Sequence, residues 1–311
     1  MQLGDRKSAI LLVLGSAVLW GFYWMPIYRL ESRGFEGAWA GLSINAATLA
    51  SVAFAGLVGL AFARRRPSAR PMSRGAIAGA LFCGAGISLY ASAISFTEVI
   101  RAVLFFYLSP VWSTAIECLF MGRRWSWRNA LAIAVTGLGL VVVCRGEIPL
   151  EGLGAAGDWM AVAAGLAWSV GTSMIFSRSE SDPVPLTLLS IAGALAVSGV
   201  TIWVGGATMG APPSLEAVAG AGWELAGFGL LYLAPIVFLT MWGAQKLNPA
   251  AMGFLLTAEI LSGIASSAMF LDQPFGVMEI AGAVLIVAGA TVEVTTPVAA
   301  ERRAVPASRE L

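Results

Sequence analysis

Histidine is absent from all 311 residues. That removes the commonest metal ligand and the usual general base at neutral pH. Cysteine is nearly absent: Cys83, Cys118 and Cys144 are the three present. All lie in apolar runs without CxxC spacing, the pattern of reduced core residues and not of a disulfide or metal site. Charge is scarce too, at 12% of residues with a net charge of +1. A soluble chain carries about 25% charged residues. Nothing in that balance suits nucleic acid, and no acidic pair or nucleophile–base spacing suits an enzyme. No cofactor is expected.

Apolar residues fill what these absences leave, 58% of the chain. Windows long enough to span a bilayer, about 18–25 residues each, occur ten times. They run roughly 8–28, 38–63, 75–97, 99–121, 128–144, 157–177, 184–206, 223–245, 249–271 and 275–296. The seams carry charges or breakers: Arg64-Arg65-Arg66-Pro67, Gly122-Arg123-Arg124, Asp182-Pro183, Ala211-Pro212-Pro213, Asn248-Pro249 and Asp272-Gln273-Pro274. The expectation is an all-α integral membrane protein with ten transmembrane helices. Arg6 and Lys7 precede the first run, but no small-residue cleavage site follows it. A retained first helix is expected in place of a signal peptide.

Ten spans put both termini on one side. With the N-terminus inside, 15 of the 19 basic residues fall on the inner side. The outer side keeps Arg29, Arg33, Arg101 and Arg145. The positive-inside rule therefore predicts N-in and C-in. The tail at 297–311 is short and polar and is expected to be disordered in the cytoplasm.

Three pairs of patterns recur about half a chain apart. Val18-Leu19-Trp20-Gly21 is matched by Leu166-Ala167-Trp168-Ser169, with 148 residues between the tryptophans. Leu104–Pro110 is matched by Gly253–Glu259, with 149 residues between Pro110 and Glu259. Gly137-Leu138-Gly139 is matched by Val287-Ala288-Gly289, with 150 residues between the last glycines. The sequence thus reads as a duplicated five-helix unit, residues 1–148 and 149–296. Five is odd, so the second copy enters the membrane from the opposite side. Inverted repeats of this kind build secondary transporters whose substrate site lies near the midplane.

On those residues the chain resembles the drug/metabolite transporter superfamily, in its EamA-type branch. Trp20-Gly21 and Trp168-Ser169 are similar to the opening pattern of that family's halves, and Leu108-Ser109-Pro110-Val111 to its fourth-helix proline turn. The aromatic first helix most resembles YddG-type exporters of aromatic amino acids. Two departures stand out. A helix-ending Gly-Glu is replaced by Gly122-Arg123 and Leu271-Asp272. No Asp or Glu lies between Ser8 and Tyr28 or between Trp159 and Ser177, unlike the first-helix glutamate of small multidrug relatives. The resemblance implies a bacterial inner-membrane transporter, working alone as an internal pseudo-dimer.

The candidate site residues follow from depth. Trp20 lies about a dozen residues into its run, roughly 18 Å down a helix and past mid-bilayer. Its indole N–H needs a partner there, and so does that of Trp168. Helical spacing puts Tyr23 and Trp24 one turn above Trp20. Tyr90, Tyr107 and Trp242 are candidates to shape a cavity, beside packing hydroxyls at Ser88 and Ser92. Pro110 is expected to open the fourth helix and free the Phe106 carbonyl, as a kink or a hinge. Pro235, one turn after Tyr232, repeats the device in the eighth. Glu259 is the sharpest residue, because an ionisable group at mid-bilayer is costly. It is read as an ammonium ligand, a proton carrier, or a protonated acid bonded to Ser262 or a facing helix. Glu117 is expected to pair with Arg123 or Arg124, and Glu293 to be solvated near a helix end. The function read from this is export of aromatic and other large neutral amino acids by alternating access. The alternative is a proton-coupled exporter of organic cations.

Overall fold

A computed structural model describes residues 3–62, 72–97, 102, 105–143, 156–177, 182–270 and 276–295. The arginine run at 64–66, Arg101, Cys144, Arg145, Asp272 and the tail lie outside them. Among the described residues all regular structure is helical. Chain order gives α1 (Leu3–Trp20), α2 (Trp24–Glu31), α3 (Ala38–Phe62), α4 (Arg74–Phe96), α5 (Ser109–Phe120), α6 (Trp127–Val143) and α7 (Ala156–Phe176). Then come α8 (Pro183–Gly205), α9 (Leu215–Gly220), α10 (Gly222–Gly227), a π-helical turn (Phe228–Leu233) and α11 (Ala234–Ala244). The chain closes with α12 (Pro249–Leu256), α13 (Ala258–Phe270) and α14 (Val277–Thr295). Each of the ten apolar windows is occupied by a helix or a broken run of helices. Arg6–Glu31, Arg74–Phe96, Ala156–Phe176, Pro183–Met209 and Gly222–Ala244 are long and apolar enough to cross a membrane.

The seams start these helices by ordinary capping. The Ser73 hydroxyl accepts from the Ala76 N–H to open α4, and Ser214 does the same for Ala217 in α9. Asp182 caps α8 through the Val184 N–H, with Pro183 at the first helical position. Proline is tolerated there because its missing N–H has no helical partner anyway.

Several windows are broken where continuous spans are expected. The first window is not one helix: α1 stops at Trp20. Short i-to-i+3 bonds carry the turn, with the Phe22 N–H donating to Leu19 and the Tyr23 N–H to Trp20. Pro110 does not kink a helix interior either. It is the second residue of α5, after a turn at Tyr107 and Leu108, where no hydrogen bond is lost. The Phe106 carbonyl packs instead on Gly165, where a Cβ would approach it to 2.6 Å. Pro235 is likewise the second residue of α11 and follows the π-helical turn.

The packing has a regular plan. α4 lies against α7 and α8, and α5 against α7. Five windows on, α11 lies against α1, the π-helical turn against α3, and α12 against α1. The remaining major pairs, α3–α8, α5–α12 and α6–α14, join helices five windows apart. Glycine sets the closest of these. A Cβ on Gly139 would meet the Gly282 carbonyl at 2.8 Å, and one on Gly289 would meet the Ala132 carbonyl at 2.9 Å. The Ser88 and Ser198 hydroxyls bond at 2.8 Å between α4 and α8. Facing outward are large apolar side chains such as Phe54, Trp203, Leu231 and Val284, each more than half exposed. An apolar outer surface of this kind suits lipid and not water.

Candidate substrate pathway

Tight helix contacts bring the deep polar residues together. Gly21 directly follows Trp20. A Cβ there would sit 2.5 Å from the Glu259 carbonyl, so only glycine seats this turn on the first turn of α13. Gly86 does the same between α4 and α7, where its Cβ would lie 3.1 Å from the Ala164 carbonyl and 3.3 Å from Trp168 Cβ. The Ser169 hydroxyl, next to Trp168, donates to the Ser109 carbonyl at 2.9 Å and ties α7 to the start of α5.

The result is one pocket lined by Trp20, Gly86, Ile87, Tyr90, Phe106, Trp168, Leu256 and Glu259. Its non-atom space is about 340 Å³ with the open mouth included. Inside, the side chains leave room for little more than a water molecule. An aromatic amino acid enters only if the rings move apart.

Glu259 sits in the first turn of α13, because the chain breaks at Thr257 between α12 and α13. A helix N-terminus stabilises a negative charge. The Tyr107 hydroxyl donates to Glu259 Oε2 at 2.8 Å and to the Leu256 carbonyl at 2.9 Å. The Tyr90 hydroxyl flanks the same carboxylate. Ser262 does not reach it; that hydroxyl donates back to the Ala258 and Glu259 carbonyls.

The rings stack on one another. Tyr90 lies on Phe106 with centroids 4.6 Å apart, and Phe106 meets Tyr107 edge to face at 5.3 Å. Trp20 donates from Nε1 to Thr240 Oγ1 at 3.2 Å. Of the sequence-predicted site residues, Trp20, Tyr90, Trp168 and Glu259 line the pocket, and Tyr107 holds Glu259 from beside it. Tyr23 is fully buried behind Trp20, edge-on at 5.3 Å. Trp24 does not share that face; it donates to Ser266 at 3.0 Å. Trp242 is half-buried against the core and outside the lining. Gly86, Ile87, Phe106 and Leu256 were not anticipated, since apolar residues in an apolar run carry no distinguishing signal.

A second buried cluster ties α5, α6, α12 and α14. Arg123 Nη1 donates to Glu117 at 2.6 Å, and its Nη2 to Glu293. Asn129 donates to Glu293 at 3.0 Å, and the Ala250 N–H to Glu117 at 2.6 Å. The expected Glu117–Arg123 pair is present. Glu293, however, is not solvated: it is 2% exposed, drawn in by Arg123 from 170 residues away. Burial opposes the Arg123 charge, but the two carboxylates hold its pKa above the usual guanidinium value.

A model of the EamA-like transporter family matches residues 7–145. Over these residues the chain is similar to the EamA-like transporter family. The EamA-like segment runs from α1 through α6 and contributes Trp20, Gly86, Ile87, Tyr90 and Phe106 to the pocket. A probable terminal-alkyne amino-acid exporter from Streptantibioticus cattleyicolor is 29% identical over 154 residues, 47% of this chain. The match spans 49% of that relative, about half its length. A solved crystal structure of another protein superposes with a TM-score of 0.67 at 18% identity, covering 96% of this chain and 100% of that one. At that identity the likeness concerns the fold alone.

Proposed function

We propose that the protein is a secondary transporter of the bacterial inner membrane that exports aromatic and other large neutral amino acids by alternating access. The observation that carries this reading is the pocket. Four rings, Trp20, Tyr90, Phe106 and Trp168, surround one buried carboxylate, Glu259. Rings accept an aromatic side chain by offset or edge contacts, and a carboxylate accepts an ammonium. The EamA-like match and the exporter name of the relative support transport.

In this reading the chain has ten spans, two inverted five-helix repeats and both termini in the cytoplasm. The paired packing of helices five windows apart supports that plan. One chain suffices, because the duplication supplies its own pseudo-dimer. The broken helices beside Pro110 and Pro235 are the hinges. No acid lies between Ser8 and Tyr28 or between Trp159 and Ser177, so downhill flux is as open to this pocket as proton exchange.

The test is uptake of labelled phenylalanine and tryptophan into proteoliposomes, with and without a pH gradient, beside a Trp20→Ala variant. Saturable flux without a gradient, reduced in the variant, supports the reading. Absent flux refutes it. One observation favours a second reading: the lining holds a carboxyl group and no lysine or arginine. That suits a proton-coupled exporter of organic cations, with Glu259 as the proton carrier. Cation flux that loses its pH dependence in Glu259→Gln selects this alternative.

A further inference from the structure

Two indoles line the pocket, and their N–H groups differ. That of Trp20 is committed to Thr240. Trp168 is 4% exposed, its Nε1 is buried, and among the described residues it has no acceptor. Buried donors almost always find a partner, and an exception calls for a cause. Gly86 packs against the Trp168 Cβ and the backbone beneath it, so the root of this ring is fixed.

The charges of the pocket supply the cause. Glu259 suits the ammonium end of a zwitterion. The carboxylate end then enters a lining without lysine or arginine, so a neutral donor must receive it. The Tyr107 hydroxyl is committed to Glu259 and Leu256, and the Trp20 N–H to Thr240. The Tyr90 hydroxyl also faces Glu259, so the Trp168 N–H is the uncommitted donor among these four.

We infer that the Trp168 indole N–H donates to the carboxylate of a bound α-amino acid, so that the site prefers an amino acid to the amine with the same side chain. The inference rests on the amino-acid reading of the pocket above. Indole is a donor with no acceptor capacity, so the polarity of this position is fixed: it accepts a carboxylate and gains nothing from a second ammonium.

The experiment compares labelled phenylalanine and 2-phenylethylamine in proteoliposomes holding the full chain or its Trp168→Phe variant, which keeps a ring and loses the N–H. A hydrogen bond to a charged group predicts a rise of about ten-fold or more in the half-saturation concentration for phenylalanine. The amine should shift less than about two-fold, since it has no group for the donor. Thermal unfolding in detergent should not fall, because the N–H has no acceptor to lose. Equal shifts for both solutes, or none for either, overturn the inference. Should the variant fail to fold, competition on the wild type decides. An amine that competes as well as phenylalanine overturns the inference, and one about ten-fold weaker upholds it. Wild-type flux is read first. If it carries neither solute, or the amine alone, the pocket reading itself has failed, and the inference falls with it.

Discussion

Tyr107 donates to Glu259 at 2.8 Å between residues 152 apart in the chain. The bond exists because two helices break at matching places. A turn at Tyr107 precedes α5, and Thr257 separates α12 from α13. Each break turns a side chain inward at depth, and the second also aims a helix N-terminus at the carboxylate. A buried acid is held there without a formal cation among the pocket residues.

Replacing Tyr107 with Phe removes one of the two hydroxyls at Glu259 and leaves Tyr90 alone beside it. The loss of a bond to a buried charged group costs about 1–3 kcal/mol, read as a lower melting temperature in detergent. Glu259→Gln behaves differently. The amide oxygen still accepts from Tyr107, so stability stays within about 1 kcal/mol of wild type. The charge for an ammonium is lost, and the half-saturation concentration for phenylalanine should rise about ten-fold or more. Unchanged transport in Glu259→Gln would remove Glu259 from substrate binding.

Gly289 and Gly137 predict opposite responses to the same substitution. A Cβ on Gly289 would lie 2.1 Å from Thr136 Oγ1 and 2.9 Å from both the Ala132 carbonyl and the Thr136 N–H. Two of those atoms are backbone and cannot turn aside, so α6 and α14 must separate. Gly289→Ala should cost about 1–3 kcal/mol, and a second change of Thr136 to Ala should restore only part of it. A Cβ on Gly137 meets nothing within 4 Å. Gly137→Ala should be neutral or stabilise by up to about 1 kcal/mol through helix propensity. Paired melting curves in detergent check both.

The sequence carried the coarse plan because hydropathy and length are what a bilayer constrains. The ten apolar windows, each occupied by helix, and the isolated acid at 259 follow from counting. The 150-residue spacing of Gly139 and Gly289 was visible too, though not that each would face the other's helix. The breaks were not legible. Turns at Gly21–Tyr23 and Tyr107–Leu108 are made by backbone bonds within apolar runs, where hydropathy does not change. Proline was seen, but its place in a first turn depends on that turn. Phe106 and Leu256 look like any core residue until Tyr90 and Tyr107 are set against them. Glu293 was misread because nearness to a helix end was measured along the chain, while its cation came from α5's far side.

The Arg123 cluster gives the sharpest stability prediction. Glu117 and Glu293 are 3% and 2% exposed, and Arg123 is the cation that bonds both. Arg123→Ala strands two buried carboxylates, and breaking a buried pair typically costs about 3–5 kcal/mol. Lys at this position keeps the charge but cannot fork between two acids, so its loss should be intermediate. Adding Glu117→Gln and Glu293→Gln to Arg123→Ala should recover most of the stability. The amides carry no unpaired charge, and the amide oxygen introduced by Glu117→Gln still accepts from the Ala250 N–H that opens α12. Melting temperatures of the four proteins decide the cause. If the triple variant stays as unstable as Arg123→Ala, the loss comes from packing of the arginine stem and not from the charges it joins.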